Sequence, residues 1–274
     1  MKVSFFDKKL REDYWNSISI ISTIISFILV FVSVPDDWKI KTVCAAVLVL
    51  ILIVLYICKW KKANKLQNVS MKINKTNVTV KCGDVFKEEG LKVIAFNEYF
   101  DTIVDDDIIS RNSLNGIFVN SYVSSVDELD KAISTDEHLK GCIFTTSPDR
   151  AKGKKIRYKL GSMFKFNEYL LLAFSKFDVN NRAQLGKKDF IKCLLKMWNE
   201  IDVFNNGYTI NIPLLGSGMT VRSLDCTEQE LVEALLTSLR LSGLRLNNNA
   251  KINIVIYGKS IENINFYKLL NYGD

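Results

Sequence analysis

Two uncharged, strongly apolar runs lie within the first sixty residues, and the rest of the chain holds nothing like them. The first extends without a charge from Tyr14 to Pro35 and is greasiest from Ile18 to Val34; the second extends from Thr42 to Cys58. At ~1.5 Å of rise per residue, each can cross a hydrocarbon core of ~30 Å with modest help from its flanks. The twelve Ile, Leu, Val and Phe side chains of the first run contribute roughly −4 to −7 kcal/mol on the insertion scale, which outweighs the scattered serines. The sequence therefore predicts a transmembrane hairpin, with helices at about residues 15–34 and 42–60, followed by a domain in water. A cleaved signal peptide fits less well: no small-residue cleavage site follows the first run, and a second span comes directly after it.

Orientation follows from the cations at the ends of the spans. Lys2, Lys8, Lys9 and Arg11 precede the first, and Lys59, Lys61, Lys62 and Lys65 follow the second. The short connection Asp36–Lys41 sets two cations beside two acids. The excess of positive charge places both termini, and the domain, in the cytoplasm at the plasma (inner) membrane. Trp15, Trp38, Tyr56 and Trp60 stand where aromatic anchors gather at the water interfaces. In the first span Ser19, Ser22, Ser26 and Ser33 share about 60° of a helical wheel. Such a face either packs on the second span or serves self-association, since both use small residues and interhelical hydrogen bonds.

The net charge of +7 has to be partitioned before it is read. Residues 1–65 hold 10 Lys/Arg against 5 Asp/Glu, and residues 66–274 hold 27 against 25. The basic excess thus reports membrane topology, and no nucleic-acid partner is expected. Cys44, Cys58, Cys82, Cys142, Cys193 and Cys226 are scattered, no pair has zinc-ligand spacing, and His138 is the lone histidine. Reduced thiols, no disulfide framework and no metal site are the expectation.

Residues 66–274, beyond a Lys/Asn-rich connector near Lys61–Asn68, suit a single domain. Strands are expected at Asn77–Lys81, Leu91–Ala95, Gly141–Thr146, Arg157–Phe164, Tyr169–Phe177, Tyr208–Pro213 and Lys251–Tyr257, the fourth and fifth forming a hairpin about Asn167 and Glu168. Gly141–Thr146 reads as buried. Helices are expected after Ser125, whose capping-box spacing opens a run toward Ile133, and over Lys187–Ile201, with Phe190, Ile191, Leu194, Leu195, Trp198 and Ile201 on one face. A second capping box, Thr227–Glu230, starts a helix facing Leu231, Val232, Leu235, Leu236 and Leu239 inward, and Asn263–Leu270 closes the chain. Strands alternating with helices around one hairpin imply a mixed sheet in a three-layer α/β/α domain.

Chemistry concentrates at strand ends. Ile212–Thr220 leaves a buried strand with two glycines around Ser217, a pattern that lets backbone N–H groups approach an anion, most often phosphate. A plain turn is the alternative, and neither a Walker lysine nor the dinucleotide fingerprint is present. Cys82–Phe86, Val93–Asn97 and the small polar turn Ser113–Ile117 supply further polar strand ends or turns that can converge on one nucleotide.

This set resembles the macro domain, the ADP-ribose-binding fold, over roughly Met71–Asp274, through Gly83-Asp84-Val85, the strand ending at Asn97, the turn at Gly116 and the Pro213–Thr220 loop. More narrowly, Ala95–Thr102, Ser113–Val119 and Ile212–Met219, joined to two N-terminal spans, resemble the membrane-anchored macro-domain effectors of type II Thoeris antiphage systems. That resemblance implies a receptor for an ADP-ribose-type signal, a histidine–ADP-ribose conjugate, made by a TIR-domain partner. It further implies that the membrane part executes growth arrest or death, with self-association. Asp84 would then accept from the adenine amine with Val85 beside the ring, and Asn97 would address the distal ribose. Leu114, Asn115, Gly116 and Ile117 would meet the diphosphate from one side, Leu215, Gly216, Ser217, Gly218, Met219 and Thr220 from the other, and Tyr257 would stack on adenine. The alternatives are a turn cap for Asp84, local backbone bonding for Asn97 and an ordinary core-edge ring for Tyr257.

The chain departs from macro domains that hydrolyse ADP-ribose adducts. Their consecutive glycines are reduced to Gly116, and Asn97-Glu98-Tyr99-Phe100-Asp101 replaces the paired-asparagine loop. With no catalytic residue and no cofactor evident beyond the ligand, binding without turnover is expected. A tethered ADP-ribosyl hydrolase using Glu98 or Asp101 is the alternative, and a structural anchor that binds only protein is a third.

Overall fold

The computed structural model describes residues 3–32, 36–178, 181–218, 224–246 and 250–273. The chain forms two compact units, Met1–Gln67 with Asn265–Lys268, and Asn68–Ile264 with Leu269–Asp274.

The first unit is a helical hairpin of α1 (Lys8–Phe31) and α2 (Trp38–Asn64), both long and apolar enough to cross a membrane. α1 starts ahead of the uncharged run because Asp7 caps it, accepting from Leu10 N at 3.0 Å; Asp37 caps α2 through Lys39 N at 2.8 Å. Tyr14 Oη donates to the Leu52 carbonyl at 3.0 Å, tying the helices together. Tyr14, Ile18, Ile21 and Ile25 are half-buried, whereas Ser19, Ser22 and Ser26 are exposed. The serine face is therefore not the seam between α1 and α2, and Ser33 lies outside the described residues. Residues 3–7 fold back on the end of α2: Val3 N donates to Asn64 Oδ1 at 2.8 Å, and Trp60 Nε1 donates to Val3 O at 2.9 Å. Val3, Leu10 and Ala63 bury themselves there with Tyr267, whose hydroxyl donates to Asp13.

The second unit is built on one mixed sheet. Its strands are β1 (Asn68–Ile73), β2 (Thr76–Cys82), β3 (Leu91–Asn97), β6 (Met163–Phe166), β7 (Tyr169–Phe177), β8 (Ala183–Gln184), β9 (Ile210–Pro213) and β10 (Lys251–Ile256). The order is β1-β2-β10-β9-β3-β7-β6, with β8 paired to β7. The five strands β2, β10, β9, β3 and β7 run parallel, and β1, β6 and β8 pair antiparallel at the margins. β4 (Ile143–Thr146) and β5 (Ile156–Tyr158) form a separate two-stranded ribbon. Helices α3 (Leu114–Tyr122), α4 (Val126–Thr135) and α5 (Glu137–Lys140) cover the sheet face carrying Ile94, Phe96, Leu171 and Ala173. On the other side, α6 (Lys187–Phe204) packs with α7 (Glu228–Ser242); the short α8 (Phe266–Leu269) comes after β10 in the chain and belongs through Lys268 to the first unit. This is the expected three-layer α/β/α arrangement with a mixed sheet.

Several local expectations are corrected. Gly141–Thr146 is not a buried strand: all four β4 residues are exposed, Phe144 to 64 %. Arg157–Phe164 is two strands, broken where Gly161 takes a φ of 84° that a side chain would strain. The second half does form the hairpin, turning on Asn167 at φ 52°. β1 lies where no strand was expected. The buried stripe of α6 runs through Phe190, Cys193, Leu194, Met197, Trp198 and Ile201, leaving Ile191 exposed. Ser113–Ile117 is not a free turn but the capped start of α3.

Candidate functional site

The connection leaving β3 travels toward β7 through α3, α4 and α5, while the one leaving β9 travels toward β10 through α7. Neighbouring parallel strands whose exits diverge in this way define the switch point of an open α/β sheet, and in such sheets ligands bind beyond the carboxyl ends of the strands. The β3–β9 ladder covers only Leu91–Ile210 and Lys92–Asn211. β3 then runs on to Asn97, and β9 ends at Pro213, whose ring offers no N–H to extend the ladder.

The expected ligand residues come to this edge. Ile256 and Cys82 are register partners, as are Val255 and Pro213, so the segments after β2, β10 and β9 start side by side. They carry Asp84 and Val85, Tyr257, and the 214–218 loop. Asp84 caps the 3-10 turn Val85–Lys87, accepting from Phe86 N at 3.1 Å, and stays half-buried. Val85 is buried and Tyr257 is 73 % exposed. Leu215 and Gly216 are buried, and Ser217 Oγ donates to Leu214 O at 2.7 Å. Gly216 holds φ 88°, with a would-be Cβ 2.9 Å from Leu224 Cδ1; a Cβ at Gly218 meets open space. Met219 and Thr220 lie outside the described residues.

On the β3 side, Asn97 is buried and engaged locally. Its Oδ1 accepts from Tyr99 N at 3.0 Å and Asp101 N at 3.3 Å, and its Nδ2 donates to Asp101 Oδ2 at 2.9 Å. Asn97 thus anchors the turn that follows β3. α3 presents Leu114, Asn115, Gly116 and Ile117 as its first turn behind the Ser113 cap. The Gly116 N–H is already taken by Ser113 Oγ at 3.2 Å and Asn115 Oδ1 at 3.1 Å. Gly116 is required for another reason: a Cβ there would fall 2.1 Å from the Ser110 carbonyl oxygen.

Two carboxylates just after β3 are held in ion pairs that the sequence did not announce. Asp101, fully buried, receives Arg150 Nη1 at 3.0 Å and Nη2 at 2.7 Å, and Lys154 N at 2.7 Å. Glu98, also buried, receives Arg157 Nη2 on both oxygens, at 3.0 and 2.9 Å, and the Phe177 N–H. The Arg150 guanidinium lies 3.9 Å above the Tyr99 ring. Burial pulls the Lys154 ammonium below its usual range, against the opposing pull of Asp130 and Asp101. Arg150 and Arg157 stand 49 and 59 residues from their acids, so no local spacing reveals the pairs.

Both carboxylates have their oxygens met by donors. The arrangement sets glycine-bearing backbone and a capping aspartate along one sheet edge.

Residues 78–257 match the family model described as the macro domain of Thoeris protein ThsA. The chain is similar to Thoeris protein ThsA of Bacillus amyloliquefaciens (strain Y2), at 39% identity over 273 residues, covering 97% of this chain and 90% of that one. Its fold is similar to that of a mutant macrodomain of Oceanobacillus iheyensis with ADPR, at TM-score 0.50 and 12% identity, covering 75% of this chain and 97% of that one. A match that spans the parallel strands β2 to β10, and a relative similar across both the helical hairpin and the sheet domain, make the chain a member of the Thoeris ThsA macro-domain family.

Proposed function

We propose that the protein is a membrane-anchored receptor and effector of antiphage defence, whose cytosolic macro domain binds an ADP-ribose-derived signal such as histidine–ADP-ribose without turning it over. The observation that carries this reading is the gathering of the Asp84 turn, the Gly216–Gly218 loop and Tyr257 at one sheet edge beside the β3–β9 switch point, in a chain of this family. The fold neighbour described with ADPR supports the same ligand class. Asp84 and Val85 face the adenine, the first turn of α3 and residues 215–220 take the diphosphate, and Asn97 shapes the loop beside the distal ribose.

The saturated carboxylates of Glu98 and Asp101 support binding over hydrolysis, since neither is left to activate water. A TIR-domain enzyme of the same system supplies the signal, and its occupancy favours an assembled state of the hairpins that arrests the cell. Such coupling needs the ligand to bind the assembled state more tightly than the resting one, by a few kcal/mol for a useful switch. Calorimetry of the purified protein with ADP-ribose and its histidine conjugate tests the first step. Saturable binding with unchanged ligand recovered afterwards is expected; no binding to either compound, or recovery of cleaved product, overturns the proposal.

A further inference from the structure

We propose that His138, Cys142 and Glu200 form a site for a zinc-class divalent cation that clips α5 to α6 at the β6 end of the sheet. His138 and Cys142 lie one helical turn apart in the sequence, whereas Glu200 stands 62 residues from His138. His138 lies in α5, Cys142 follows directly after its Gly141 cap, and Glu200 lies in the closing turns of α6. Folding brings one donor atom of each within 4.8 Å of the others. His138 Nε2 and Glu200 Oε2 are already 2.5 Å apart.

The donor set is an imidazole nitrogen, a thiol sulfur and a carboxylate oxygen. This mixture suits zinc and its borderline-soft neighbours, and it excludes magnesium and calcium, which take oxygen ligands. Burial favours a site over a loose ion pair. The Glu200 side chain is 8% exposed, so its charge has to be met inside the protein, while His138 at 38% leaves the cluster open to an entering ion.

Lys196 supplies the outer contacts that a metal–thiolate site needs. Its ammonium is fixed by Ser162 Oγ at 2.7 Å, and it stands 3.9 Å from Cys142 Sγ and 4.0 Å from Glu200 Oε1. It thus donates an N–H···S bond to the sulfur and holds the outer carboxylate oxygen, turning Oε2 toward His138. On binding, the Cys142 thiol releases its proton to solvent. The dication is then balanced by one thiolate and one carboxylate, and the Lys196 ammonium leaves the cluster with one net positive charge. Both α5 and α6 pack on β6, so the ion would tie the two helices over the same strand.

The test uses the full-length, tag-free protein in detergent, stripped with a chelator and then given Zn²⁺ or Co²⁺ alone. One zinc per chain by atomic emission is expected, together with the near-ultraviolet charge-transfer absorption that reports a Co–S bond, and a rise in thermal midpoint on adding zinc. Cys142→Ser is expected to abolish the Co–S absorption. His138→Asn is expected to weaken zinc binding by a factor on the order of a hundred, and Lys196→Gln, which removes no ligand, by about tenfold. Cys82→Ser, an exposed thiol outside the cluster, leaves all three readouts unchanged. Circular dichroism of the stripped variants separates lost binding from lost fold, and two independent ligand variants must agree. Fewer than about 0.2 equivalents of zinc on wild type, or equal retention by Cys142→Ser and His138→Asn, overturns the assignment.

Discussion

A Cβ built on Gly216 collides with Leu224 Cδ1 at 2.9 Å and with Leu231 Cδ2 at 3.2 Å, at a φ of 88°, while one built on Gly218 touches nothing. The two glycines flank the same serine and look interchangeable in sequence, yet they do different work. Gly216→Val is expected to destabilise the domain by about 1–3 kcal/mol through overpacking and strain. Gly218→Val should leave the thermal midpoint unchanged while weakening ADP-ribose binding at least tenfold by calorimetry, which makes it the informative variant for the loop. The buried acid after β3 gives a second residue-scale prediction. Asp101 carries no exposure and sits opposite Arg150, itself 9% exposed at the side chain. Removing either partner strands the other charge in a low-dielectric site, so Arg150→Ala is expected to cost about 3–5 kcal/mol in denaturant unfolding. Cys193 supplies a contrast. Burial pushes its thiol up to about 12, so it stays protonated and unreactive toward iodoacetamide at neutral pH, while exposed Cys82 alkylates. Mass spectrometry of the native and unfolded protein reads the difference.

At the scale of elements, α7 is the best-specified helix. Thr227 Oγ1 accepts from Glu230 N at 3.3 Å, and Glu230 Oε2 receives Thr227 N at 2.7 Å, closing both halves of the capping box. Thr227→Ala is expected to lower stability by about 1 kcal/mol, read as a shift in denaturant midpoint at constant slope. This helix was legible because its signals are local: a cap, an acid three residues on, and Leu231, Val232, Leu235, Leu236 and Leu239 at helical spacing, all buried. β3, β9 and β10 were legible for the same reason, as short runs rich in Ile and Val, ended at Asn97, Pro213 and Tyr257. What stayed hidden depends on partners distant in the chain. β1 alternates weakly and becomes a strand because β2 lies beside it through the Asn74–Lys75 turn, whose residues take φ of 52° and 67°. β4 has strand-like residues but pairs only with β5, away from the main sheet, so its apolar character did not imply burial. The candidate site divides along the same line. Glycine loops and the Asp84 turn show in sequence, because backbone geometry is set by neighbours. The Arg150 and Arg157 pairs, and the approach of Glu200 to His138, are products of the tertiary fold.

At the scale of the molecule, the proposed function requires that a ligand at the sheet edge be answered in the hairpin. Most of the hairpin's apolar surface has no cover from the protein: Phe27, Val30, Val43 and Leu50 are each at least 61% exposed. Lipid, or another copy of the hairpin, has to cover it. Ile18, Ile21 and Ile25 are half-buried, whereas Ser19, Ser22 and Ser26 are exposed on α1. The serine hydroxyls therefore do not hold the two helices of one chain together. Ser19 Oγ bonds its own helix at Trp15 O, at 3.0 Å. The free face suits a neighbouring copy, because small residues let backbones approach closely and interhelical hydrogen bonds add about 0.6–2 kcal/mol each. Ser22→Leu with Ser26→Leu raises the apolarity of the span, so insertion and the seam of the hairpin are preserved. The close approach of a second copy is blocked. The double variant is expected to reach the membrane at wild-type levels, to bind ADP-ribose-type ligand with unchanged affinity, and to lose ligand-induced oligomers in detergent electrophoresis or cross-linking. Growth arrest on signal should fall with the oligomers, since the ligand then has no assembled state to favour. Oligomers that persist in the double variant would place the assembly surface elsewhere on the hairpin. Oligomers lost together with ligand affinity would mean that the substitutions reach the macro domain rather than the contact between copies.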